Sequence, residues 1–183
     1  KGTISSYCAE SVAGTYTVAA SYITGDLSGF SGNLILPANP YVGAQRRLWI
    51  TGEKSCPADP APGEEAYVAI TNQVLITTVD WTSGTNRTWI LGENAVLSQN
   101  GNNMLAIMGA VKASSDLVKS GNGILVLGGA PQVSGKVTVN NGVVDVLDEG
   151  FAASGTFNQA AISSSGAAFH FPDAIDMPVL YLA

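Results

Sequence analysis

Residues 117–147, LVKSGNGILVLGGAPQVSGKVTVNNGVVDVL, decide the fold. Three short apolar-alternating runs, at 124–127, 137–139 and 143–147, are separated by corners rich in Gly and Asn. Strands this short, broken by tight turns, suit an all-β coil better than long hairpins. Side chains alternate along a strand, so Leu125 and Leu127 face one way while Ile124 and Val126 face the other. In the last run Val144 and Val146 oppose Val143 and Leu147 in the same manner.

Outward from this stretch, the glycines repeat. Gly101, Gly121 and Gly142 lie 20 and 21 residues apart, and Gly109, Gly129 and Gly150 take the same steps. Residues 30–36 (FSGNLIL) also line up with 133–139 (VSGKVTV), and a weaker third copy begins at Ser154-Gly155. The shared pattern is apolar, Ser, Gly, polar, apolar, any, apolar. A period near 20 that holds three short strands and three corners is about one coil of a parallel β-helix. An antiparallel β-sandwich is the alternative, in which case the spacing is accidental.

Composition agrees with a β-rich chain. Charged residues are 12% of the 183, Gly numbers 21, and 46% of the chain is hydrophobic, enough to build a core and avoid disorder. The whole chain, 1–183, reads as a single domain. It is interrupted by an irregular loop at 53–66, EKSCPADPAPGEEA, whose prolines exclude regular sheet. Residues 113–119 read as one helical turn or a corner. The net charge of −6, with no basic cluster, excludes nucleic acid as a partner, and no apolar run is long enough for membrane insertion.

Cys8 and Cys56 are the only cysteines. A disulfide between them would tether the Pro-rich loop and stabilise the fold by about 4 kcal/mol at most. Two cysteines so far apart make no metal site, and no cofactor motif is present.

The Leu117-Val118-Lys119-Ser120-Gly121-Asn122-Gly123-Ile124-Leu125-Val126-Leu127 run, with Val133-Ser134-Gly135 and Asn141-Gly142-Val143-Val144-Asp145-Val146, resembles the passenger-associated transport repeat of autotransporter-like bacterial surface proteins. The resemblance covers about thirty residues well and 27–36 partially. It implies a secreted, right-handed, single-stranded parallel β-helix at the cell surface, in a structural or adhesive role. It carries no catalytic residues to transfer. Where the repeat usually has polar residues, this chain has Ile124 and Val126, and Val143 follows suit. Outward apolar groups of this kind suggest an interaction face, covered by a terminal segment or by another subunit.

Chemistry-bearing clusters are sparse. Asp145, Asp148 and Glu149, with Lys119 or Lys136 on neighbouring coils, are the residues a polysaccharide lyase or glycosidase would use. Solvated surface charge is the plainer reading. Glu53, Asp59, Glu64 and Glu65 make the Pro-rich loop acidic without the spacing of a calcium cage. His170, the only histidine, has no nucleophile elbow to serve and reads as a packed or edge residue. Asn86-Arg87-Thr88 is a glycosylation sequon. Trp49, Trp81 and Trp89 with Tyr41 and Tyr67 are candidates for an aromatic sugar platform, although core packing is the default for such residues. The sequence thus points to a non-enzymatic extracellular surface module, whose partners would be copies of itself or surface glycans.

Overall fold

The computed structural model describes residues 2–5, 20–38, 46–129, 131–147, 156–162, 167–170 and 180–182. Within them the chain is a parallel β-helix, and every strand pairing is parallel. Strands fall on three faces. The first carries Thr3–Ser5, Asn33–Leu36, Ala66–Ile70, Arg87–Leu91 and Val111–Ala113. The second carries Ala20–Ile23, Arg46–Ile50, Gln73–Thr77, Val96–Gln99 and Leu117–Ser120. Trp81–Ser83, Met104–Ile107, Ile124–Leu127, Gly142–Val146 and Ala167–His170 build the third.

The strand Pro131–Val139 turns a corner. Its start pairs with Val111–Ala113 on the first face, and its end pairs with Leu117 to Lys119 on the second. Thr156–Ile162 follows it around the same corner, with a register shift between Val133 and Lys136. Residues 113–119 hold a corner and a strand, with no helical turn.

Inward side chains stack coil upon coil. Leu36, Ile70, Leu91 and Ala113 form one such column, and Leu105, Leu125 and Val144 another. Each buried leucine in a column contributes about 1.5–3 kcal/mol relative to an exposed one. A coil therefore gains stability mainly by covering its neighbour's interior. The expected alternation holds: Leu125, Leu127, Val144 and Val146 are buried in the core.

Corner chemistry explains the glycine spacing. Gly101, Gly121 and Gly142 all sit between the second and third faces with φ of +70°, +76° and +73°. That left-handed conformation is least costly for glycine, with Asn next. A Cβ at Gly121 would also fall on the backbone carbonyl of Gln99 in the preceding coil. Gly109 and Gly129 likewise stack closely, while Gly150 lies outside the described residues. Asn72 and Asn94 supply the left-handed residue between the first and second faces.

The seven-residue match of 30–36 to 133–139 does not survive as structural equivalence. Leu34 and Leu36 pair with Val68 and Ile70 on the first face, whereas Val137 pairs with Leu117 on the second. Thr156 and Phe157 pair with Gln132 and Val133, so the third copy is out of phase too. The segments at 30–36 and 133–139 each carry a Gly at a corner that leads into a strand, and any tight corner selects that pattern, while Ser154 and Gly155 lie outside the described residues. Gly32 abuts the backbone of Gly2, and Gly135 abuts that of Ser115 and Asp116.

The expected disulfide is also corrected. Cys56 is a free thiol, packed against the core, and burial pushes its pKa up to about 11. Cys8 lies outside the described residues. Arg87 tethers the Pro-rich loop instead. Its fully buried guanidinium donates to the carbonyl oxygens of Gly32 at 2.7 Å and Ala58 at 2.5 Å. Asp59 accepts from the backbone of Gly84 at 2.7 Å, so this loop carboxylate is not merely solvated. Asn86, the sequon residue, is half-buried and donates to the Pro60 carbonyl at 3.2 Å.

Candidate functional site: a groove on the second face

Alternation in Arg46–Ile50 sends Leu48 and Ile50 into the core and turns Arg47 and Trp49 outward. The next coils stack their outward residues in register with these. Val74, Val96 and Val118 continue the line of Arg47, and Ile76, Ser98 and Ser120 continue the line of Trp49. Together with Asn100 and Asn140 these residues line a groove of about 370 Å³.

The groove has two distinct ends. At one, Tyr22 stacks on Trp49 with ring centroids 5.8 Å apart and planes 19° from parallel. Tyr22 and Trp49 are register partners on adjacent strands, so the rings stack along the helix axis. One side of the Trp49 ring is occupied by Tyr22, and Trp49 itself lines the groove. At the other end are hydroxyls and amides: Ser98, Ser120, Asn100 and Asn140. The valine line makes an apolar floor between them. Such a surface matches a ligand with apolar faces and polar edges.

The corner beside this groove is held from inside by Lys119. Its side chain enters the core in a column between Leu97 and Val139 and is fully buried. The ammonium donates to the carbonyl oxygens of Ser120 and Gly121 at 2.7 Å each, and of Asn141 at 3.0 Å. Burial lowers the Lys119 pKa to about 8, so at neutral pH it remains protonated and all three bonds can form.

The residues singled out from sequence are divided by the fold. Trp81 and Trp89 are core residues, with rings 5.3 Å apart and the Trp89 indole bonded to Ser83 Oγ at 2.9 Å. The five-residue platform is therefore not assembled. Trp49 alone reaches the groove, Tyr67 is on the first face, and Tyr41 lies outside the described residues. Tyr22, Arg47 and the polar line at 98, 120 and 140 went unnoticed in the sequence. The parity of Arg46–Ile50 would have paired Arg47 with Trp49, and a step of 20 to 22 residues links 98, 120 and 140, but Tyr22 lies 27 residues before Trp49 and answers to neither signal.

The fold does not bring Asp145 to either lysine. Asp145 is outward on the third face, Lys136 lies at the corner between the first and second faces, and Lys119 is inside. Asp148 and Glu149 lie outside the described residues. Asp145 does meet His170 on the next coil, Oδ1 to Nδ1 at 3.9 Å, at an exposed edge. No group of three His, Cys, Asp or Glu residues that could hold a metal occurs among the described residues.

Ile124, Val126 and Val143 all lie outward on the third face, with Ile124 and Val143 directly stacked. Val126 is 8% exposed and Ile124 36%. Met108 and Leu147 converge over Gly128 beside them, which extends the apolar surface. No family model, curated protein or solved structure matches the chain.

Proposed function

We propose that the chain is an extracellular structural or adhesive module in which the β-helix is the scaffold and the second-face groove binds glycans. The observation that supports this most is the outward line running from the Tyr22–Trp49 stack through Ile76 to Ser98 and Ser120. Aromatic rings bind the apolar face of a sugar, and hydroxyls and amides bind its edges. The coil spacing of about 4.8 Å sets the interval between successive groups in the line. An extended sugar chain laid along the axis would meet one such group per coil. The chemistry is binding, without a bond broken.

A glycan array tests this reading. The native chain is expected to retain a restricted set of linear glycans, and Trp49→Ala to lose them. Ile124→Ser, on the third face, is expected to retain them all. Equal retention by the native chain and Trp49→Ala would refute the groove as the binding site.

A further inference from the structure

We infer that the ligand of this groove is a linear glycan bearing carboxylates, with an acidic sugar held between Trp49 and Arg47. This rests on the glycan-binding reading above and adds the charge of the ligand. The chain carries a net charge of −6, yet the only charged residue lining the groove among the described residues is a cation, Arg47. The site thus inverts the sign of the molecule around it. A neutral ligand would not need that inversion, and an acidic one would be repelled by most other surfaces of the chain.

The geometry favours a sugar carboxylate over a diffuse negative charge. Arg47 and Trp49 are two residues apart on one strand and face the same way, which separates their Cα atoms by about 7 Å. That distance lets a sugar ring rest against the indole while its carboxylate reaches the guanidinium. A guanidinium holds a carboxylate through two parallel N–H bonds, a planar match that an ammonium lacks. Beyond Arg47 the same line turns to Val74, Val96 and Val118, so the charge is read at one end only. The rest of the polymer would lie over the valine floor, with its hydroxyls toward Ser98, Ser120 and Asn100.

Titration calorimetry on the full chain with defined tetramers tests the assignment. The probes are a tetra-uronate, the neutral tetra-hexose of the same linkage, and an acidic tetrapeptide. The uronate is expected to bind at least tenfold more tightly than the neutral tetramer. Arg47→Gln should erase that preference, and Arg47→Lys should restore only part of it. Trp49→Ala should abolish binding of both sugars, with a circular dichroism spectrum unchanged from the native chain. Equal affinity for the uronate and the neutral sugar, with sensitivity to Trp49→Ala, would overturn the acidic assignment and leave the groove as a neutral-glycan site. Binding of neither sugar would overturn the groove reading itself. Tighter binding of the peptide than of the uronate would assign the groove to a protein partner and refute both.

Discussion

The second and third faces are built on the same coils, with the same strand spacing, and present opposite surfaces. On the second, the outward lines run Arg47, Val74, Val96, Val118 and Trp49, Ile76, Ser98, Ser120, and they enclose a groove. On the third, Met104, Ile124 and Val143 stack with Ala106 and Val126 beside them, an apolar patch that gives way to Asp145 and His170 on the following coils. The inward residues of both faces are mostly aliphatic columns, interrupted by Gln73, Thr77, Gln99 and Lys119 on the second and by Trp81 and Ser83 on the third. What distinguishes their surfaces lies in the outward half of each strand, which the core leaves free to vary. A β-helix therefore separates stability from recognition residue by residue, along every strand.

The corner between these two faces is where the separation can be broken. Gly121→Ala should have the largest effect, because it combines a left-handed backbone with a Cβ that overlaps the Gln99 carbonyl. A loss of about 3 kcal/mol is expected in urea unfolding, with groove binding weakened as the corner shifts. Lys119→Met comes next. It fills the same volume but leaves three inward carbonyls without their donor, which costs about 2 kcal/mol after the relief of burying a charge.

Lys119 also gives a pH signature. Its folded pKa of about 8 lies below the ordinary lysine value near 10.4. Between these two pH values the unfolded chain binds more protons than the folded one at this residue, so stability contributed by Lys119 rises with pH across that window. The difference between the unfolding curves of the native chain and Lys119→Met, measured from pH 7 to pH 10, isolates this rise. A flat difference would contradict it. Smallest of all should be Ile124→Ser. As a half-exposed outward residue it is expected to change stability within about 0.5 kcal/mol and to leave the groove's affinity untouched.

Much of the fold was legible in residues 117–147, because strand parity and corner glycines are local properties. Leu125, Leu127, Val144 and Val146 declare the core by alternation alone, and Gly101, Gly121 and Gly142 mark one corner on successive coils. The matched Ser-Gly heptads misled because different corners impose the same backbone demand, so similarity of sequence did not carry the register. Lys119 misled in another way. Its charge suggests the surface, and only the three corner carbonyls that receive its ammonium explain how it is buried.

The groove was less legible. Trp49, Trp81 and Trp89 look alike in sequence, but only Trp49 shares the outward parity of its strand with Arg47. Trp81 and Trp89 fall on inward positions, and the Ser83 hydroxyl that satisfies the Trp89 indole comes from the preceding strand. The pairing of Tyr22 with Trp49 spans a coil lengthened beyond the regular period, so no spacing rule joins them.

That same division of the tryptophans supplies the most direct test. Trp81 and Trp89 are enclosed by the core, and Trp49 is the tryptophan that lines the groove. Titrating a tetra-uronate against the intrinsic tryptophan fluorescence therefore reports on the groove. A saturable change in the native chain that disappears in Trp49→Phe is the predicted result. A native chain that shows no change, or an equal change in Trp49→Phe, would contradict glycan binding at this face.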